Sequence, residues 1–143
     1  MKKILVLILL FLSTSVLSAN ERDSQLDKLF HELKKNIPSL SSGIAQQIWT
    51  LWSTHPTDQK LTSILDEGSR LVQDRQLNRA IDVFTEAIEL DPLWAEAWNK
   101  RATVFYMVGE FQKSQDDIDK VLELEERHFG ALAGQGMVNI KLK

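Results

Sequence analysis

The sequence predicts an all-α protein, a solenoid of antiparallel helix-pair repeats behind a cleavable signal peptide. Three observations predict it. Apolar positions coincide when the chain is slid by one fixed offset, the one that carries Ile64 onto Trp98 and Trp98 onto Leu132. Each half of that unit carries an apolar stripe of helical period, and no useful stretch alternates with the period of a strand. At the same offset Gly68 meets Ala102, Ala102 meets Gly136, and Leu71 meets Phe105. In the second half of the unit Ala80 meets Ser114, Phe84 meets Ile118, Ala87 meets Val121 and Ile88 meets Leu122. A helix pair that cannot bury its own stripe buries it against the next pair.

Residues 1–19 read as an address. Lys2 and Lys3 precede a nine-residue apolar run, Ile4 to Leu12, and small residues follow up to Ser18 and Ala19. This is the pattern of a secretory signal peptide, cleaved after Ser18 or after Ala19. A membrane span needs about 20 apolar residues. The mature protein is therefore expected to be exported, periplasmic or secreted, without stable membrane insertion. Residues 20–60 carry two amphipathic stripes, Leu26, Leu29, Phe30 and Leu33, then Ile44, Ala45, Ile48, Trp49 and Trp52. Ala45, Trp49 and Trp52 precede Ala80, Phe84 and Ala87 by 35 residues, so the segment reads as a degenerate capping pair with one inserted residue. An unrelated helical cap is the other reading. His55-Pro56-Thr57-Asp58 is the connection, with Thr57 or Asp58 capping the next helix.

Residues 61–94 and 95–128 are full units, and 129–143 is a partial one. Asn78 to Leu90 is expected to turn Ala80, Ile81, Val83, Phe84, Ala87, Ile88 and Leu90 to the core on one stripe; Leu93 to Val108 does so with Trp94, Ala97, Trp98, Ala102, Phe105, Tyr106 and Val108. Gly109 can take the positive φ of a helix C-cap, and Pro92 stops the helix before it. Small residues at Gly68, Ala80, Ala102 and Ser114 let paired backbones approach. Trp49, Trp52 and Trp98 fall on core positions, and Trp94 lies at a junction with partial exposure. The last segment, Phe129 to Leu142, makes a poor terminal cap, because Met137, Val138, Ile140 and Leu142 leave few polar positions. Either a dimer through this end or truncation of a longer array is expected.

These positions resemble the tetratricopeptide repeat family. Trp98, Ala102, Phe105, Gly109, Phe111, Ser114, Ile118 and Val121 stand at its signature places, and Ile64, Gly68, Leu71, Ala80, Phe84, Ala87 and Pro92 do so one unit earlier. The sequence departs from the family at Glu67, at Arg75, where Gly is usual, and at Glu126, where Pro is usual. Glu96 to Ala102, with Val104-Phe105-Tyr106 and Gly109, looks like the small exported repeat proteins of bacteria. The resemblance implies helix pairs in a superhelix and a concave face that binds a peptide.

Composition narrows the function. The chain has 143 residues, 43% apolar and 26% charged, with no Cys. That excludes disulfide scaffolds, thiolate metal sites and thiol nucleophiles. Net charge is −3, and loss of Lys2 and Lys3 from the 17 basic residues leaves 15 against 20 acidic ones, a net of −5. No basic excess exists for nucleic acid. His31, His55 and His128 lack the helix spacing of a zinc site and read as surface or interface residues. Asp116, Asp117, Asp119, Glu123, Glu125 and Glu126 read as a solvated face, with Lys120 pairing to Asp116 or Asp117. No phosphate loop, calcium loop or nucleophile elbow is present. The expected function is an exported interaction module, not an enzyme, with no metal or cofactor and a protein or peptide as partner. A self-associating piece of a longer array is the alternative, and a small exported enzyme or metal binder ranks below both.

The resemblance also places the groove. The first helix of each pair lines it, which selects Thr62, Leu65, Ser69 and Val72 in one unit and Glu96, Asn99, Thr103, Tyr106 and Met107 in the next. Asn99 and Thr103 share one helix face. They would hydrogen-bond a peptide backbone, with Leu65, Tyr106 and Met107 giving apolar contact. The family's carboxylate-binding pattern of Lys and Asn is not matched, since Lys100 stands where Asn is common.

Overall fold

The computed structural model describes residues 20–143, and the expected signal peptide lies outside them. Among the described residues the secondary structure is all helical. Helix α1 occupies residues 20–34. Then come α2 (Pro38–Ser53), α3 (Gln59–Gln73), α4 (Leu77–Leu90), α5 (Ala95–Met107), α6 (Phe111–Leu124) and α7 (Phe129–Lys141). None of these helices is long and apolar enough to cross a membrane. The chain falls into two compact units, divided between Gln59 and Lys60.

In the first unit α1 and α2 share aromatic and polar contacts. Phe30 meets Trp52 with ring centroids 5.9 Å apart, and Trp49 meets Trp52 edge-on at 5.5 Å. The Arg22 guanidinium donates to the Leu51 carbonyl at 3.0 and 3.3 Å. Pro38 opens α2 at the one place where a missing N–H costs nothing.

The second unit repeats itself in backbone detail. Helices α4 and α6 have equal length and stand one repeat apart, Leu77 matching Phe111 and Leu90 matching Leu124. The starts of α5 and α7, Ala95 and Phe129, match in the same way. Gln76 and Glu110, which precede α4 and α6, share φ near −85° and ψ near 60°. Asp91 and Glu125, which follow them, are both extended, at (−142°, 93°) and (−147°, 93°). One core joins Leu61, Leu65, Leu71, Phe84, Ile88, Trp94 and Val104; a second joins Ala102, Ile118, Val121, Ala131 and Val138.

The turn between paired helices is built alike in both repeats. Gly109 has φ 86°, and the Glu110 N–H reaches back to the Phe105 carbonyl at 2.9 Å. One repeat earlier Arg75 takes φ 60°, and the Gln76 N–H reaches the Leu71 carbonyl at 2.8 Å. A left-handed conformation costs an ordinary residue about 1–2 kcal/mol. The hydrogen-bond pattern has won over the residue's preference.

Small residues work differently in the two pairs. A Cβ added at Gly68 would collide with Cε1 of Phe84, so the ring occupies the place of the absent side chain. In the next pair Ala102 faces Ser114, whose hydroxyl donates to the Ala102 carbonyl at 2.8 Å.

Three expectations about exposure and pairing are corrected. Trp94 is buried in the first core rather than partly exposed; Trp98, expected in the core, packs against both cores while half-buried, and donates its Nε1–H to the Pro92 carbonyl at 3.0 Å. Asp117 is not on a solvated face. It accepts Nε and Nη2 of Arg101 at 2.8 Å each, and Nη1 of Arg101 donates to Thr85 at 3.0 Å, so one guanidinium ties α4, α5 and α6. Lys120 pairs with Glu123 at 3.0 Å rather than with either aspartate. Burial pushes the Asp117 carboxyl above the usual carboxylate range, against the pull of Arg101.

Candidate functional site

The groove side chains come from two helices at one spacing. Asn99, Thr103 and Tyr106 lie four and three apart on α5, on one face. Gly130, Gly134 and Met137 lie on α7 at the same spacing. These six line a cavity of about 70 Å³ over Ala102, Ser114, Ile118 and Val138. The glycines leave room where side chains would close it. A Cβ at Gly134 would meet Cδ1 of Ile118 at 3.3 Å.

A buried polar network adjoins the cavity through Asn99. Glu96 is 1% exposed and His128 is fully buried. His128 Nδ1 accepts the Ala131 N–H at 3.2 Å and caps α7. That contact requires a lone pair on Nδ1, so Nε2 carries the hydrogen and donates to Oε2 of Glu96 at 2.9 Å. The same oxygen accepts Nδ2 of Asn99 at 3.1 Å, and Oε1 lies 3.4 Å from Nζ of Lys100. The expectation of a surface or interface place for His128, and of a groove place for Glu96, is corrected. The structure buries both, and the bond between His128 Nε2 and Glu96 Oε2 ties the start of α7 to α5.

The selected groove residues divide. Asn99 is 8% exposed; it spends an N–H on Glu96, and its Oδ1 has no protein partner among the described residues. Thr103 is exposed at the cavity rim, and its hydroxyl donates to the Asn99 carbonyl at 3.0 Å, which leaves it as an acceptor for a ligand. Tyr106 is half-buried and rests edge-on against Phe111 at 5.3 Å. Met107 is exposed. On α3 the placement is less favourable. Leu65 is 1% exposed and belongs to the first core, Val72 packs against that core, and Ser69 donates its hydroxyl to the Leu65 carbonyl at 2.9 Å. Thr62 is buried as well. Leu65 is thus a core residue rather than an apolar contact for a partner.

Sequence reasoning missed the α7 wall. Carrying the register of Glu96 and Thr103 forward by one repeat reaches Gly130 and Met137, so the signal was there. Several carboxylates on α6 and in the turn after it are engaged locally. Asp116 accepts from Gln112, and Asp119 from Gln115. Glu125 accepts from Arg127 at 2.8 Å; burial raises its carboxyl, but the Arg127 bonds outweigh that and hold it below the usual range. Among the described residues no group of three His, Asp or Glu side chains is placed to hold a metal.

Helix pairs of fixed period with a shared inner face define a helical-repeat protein. The comparisons with known proteins sharpen that class. No protein-family model matches the chain. A TPR repeat-containing protein of Rhizobium etli is 36% identical over 115 residues, 80% of this chain and 56% of the relative. Tetratricopeptide repeat protein 36 of Caenorhabditis elegans is 30% identical over 89 residues, 62% of this chain and 50% of the relative. A tetratricopeptide repeat and J domain-containing co-chaperone of Cryptococcus neoformans is 26% identical over 88 residues, 62% of this chain but 16% of the relative. The chain belongs to the tetratricopeptide repeat family. It spans about half the length of the first two relatives.

Proposed function

We propose that the chain is an exported, non-catalytic interaction module that holds a segment of another protein between α5 and α7. The observation that carries this reading is the cavity where Asn99, Thr103 and Tyr106 meet the glycine notch of α7. A segment laid there finds the Asn99 Oδ1 and Thr103 Oγ1 as acceptors for its backbone N–H groups. Tyr106 and Met137 supply apolar walls, and Tyr106 adds a hydroxyl. A co-chaperone among the relatives fits such a role. The engagement of Asp116, Asp117, Asp119 and Glu123 in ion pairs and helix-face bonds supports binding over acid–base chemistry.

The test is capture by the mature chain from an envelope extract, compared with Thr103→Arg. Thr103 is exposed at the cavity rim, so the substitution fills the groove without touching the core. The expected result is loss of capture with an unchanged melting temperature. Full capture by the folded variant contradicts the reading. Export rests on the leader pattern, and mass spectrometry of protein from a secreting host should find a start at Ala19 or Asn20; retention of Met1 in a membrane fraction argues against it.

A second reading concerns α7. Leu132, Met137 and Ile140 are exposed, Ile140 at 74%, and a Cβ at Gly136 would meet nothing within 4 Å. The equivalent place at Gly68 is filled by Phe84. A side chain from a second copy can fill the place beside Gly136. Sedimentation of the protein should show a dimer that Ile140→Glu dissociates, and a concentration-independent monomer rejects it.

A further inference from the structure

The end of the second unit where α4 and α6 begin carries a second concavity, and its chemistry differs from that of the groove. It encloses about 370 Å³ and is lined by Arg75, Leu77, Tyr106, Met107, Phe111 and Lys141, with Gly109 at the turn. The floor is apolar and aromatic, with Tyr106 and Phe111 in edge contact. Two cations stand on its walls, Arg75 from the turn before α4 and Lys141 from the end of α7. Both side chains are exposed, and neither has a hydrogen bond or ion pair among the described residues. Most other cations of this unit are engaged: Arg101 with Asp117, Lys113 with Glu110, Lys120 with Glu123, and Arg127 with Glu125.

Arg75 is the more telling of the two. It sits at φ 60°, in the place where the next repeat has Gly109 at φ 86°. Nothing in the turn calls for a side chain there. The cap bond from the Gln76 N–H to the Leu71 carbonyl has its counterpart at Gly109, so glycine serves the turn without strain. A strained residue whose side chain does no structural work directs attention to the concavity that it lines.

We propose that this concavity binds an acidic protein segment in which carboxylates alternate with apolar side chains. The guanidinium of Arg75 takes one carboxylate in paired hydrogen bonds, and the ammonium of Lys141 takes another as a point charge. Leu77, Tyr106, Met107 and Phe111 receive the apolar side chains between them. Without Lys2 and Lys3 the 15 basic residues stand against 20 acidic ones, a net of −5 that gives no long-range attraction for polyanions, so recognition is local and favours a short acidic motif over nucleic acid. Of the groove residues only Tyr106 and Met107 border this site, and the inference stands whether or not the groove of α5 and α7 is occupied.

The experiment uses two capped hexapeptides, one of alternating Glu and Leu and one of alternating Gln and Leu, titrated into the full mature chain. Isothermal calorimetry reads affinity, and amide shifts locate it. The Glu peptide is expected to bind with shifts at Gly109, Met107 and Lys141, and the Gln peptide about tenfold more weakly. Arg75→Gly and Lys141→Gln should each weaken the Glu peptide by about tenfold. Arg75→Gly also relieves the backbone, so this variant should melt no lower than the parent while losing affinity. Thr103→Arg, which blocks the groove, should leave this binding intact. Equal binding of the two peptides, full affinity in the folded Arg75→Gly chain, or tighter binding of single-stranded DNA at the same residues would overturn the proposal.

Discussion

At Gly68 a single hydrogen atom decides the packing of a helix pair. Cζ and Cδ1 of Phe84 lie 2.7 and 2.8 Å from where a Cβ would be, and Cε1 is nearer still. The contact is with a ring enclosed in the core, so it cannot swing aside cheaply. Gly68→Ala is expected to destabilise the protein by about 1–3 kcal/mol, the usual cost of overpacking, in spite of alanine's better helix propensity. Urea unfolding of the variant checks it, and a gain in stability would show that the ring has room to move. The same residue marks where sequence reading stops. Gly68 is legible as a small residue at a close approach, but its partner is not, because the repeat register aligns positions and says nothing of which rotamer fills which gap. His128 is illegible for a related reason. Its partner Glu96 is 32 residues away, and no local pattern links a helix N-cap to a carboxylate on the preceding repeat's first helix.

At the scale of elements, the turns carry most of the repeat's identity. Helices α4 and α6 start from matching backbone angles and end in matching extended residues, which is why the period is readable from apolar positions alone. The turn after α6 holds the clearest pH-sensitive contact. Burial raises the Glu125 carboxyl, but Arg127 donates to both of its oxygens and holds it below its ordinary value of 4.5. A lowered folded pKa means that the unfolded chain takes up the proton first as pH falls. The contribution is therefore complete above the ordinary value and is lost as pH falls through the folded one. Arg127→Gln should melt lower than the parent at neutral pH, and the gap should close on acidification below pH 4.5. A gap that stays constant across that range would place the Arg127 contribution elsewhere. The first-helix positions of α3 are less legible than those of α5. Register selects Leu65, but the space opposite α3 is filled by its own core, whereas glycines on α7 leave the space opposite α5 open.

At the scale of the whole molecule, the fold class is readable because period, helical stripe and absence of alternation agree with one another, as they do in sequences that specify one structure. The groove is half readable. Asn99, Thr103 and Tyr106 line a cavity together, while its other wall comes from a segment that the sequence marks only for its poor capping composition. The central claim is that a partner segment lies between α5 and α7. Site-specific photo-crosslinking tests it most directly. A benzophenone side chain at Thr103 stands at the rim of the cavity, and one at Gln112 stands exposed on α6 as a control. The account predicts one dominant adduct from position 103, mapping to a short stretch of one partner, and none from position 112. Equal crosslinking from both positions, or an adduct from 112 alone, would contradict it.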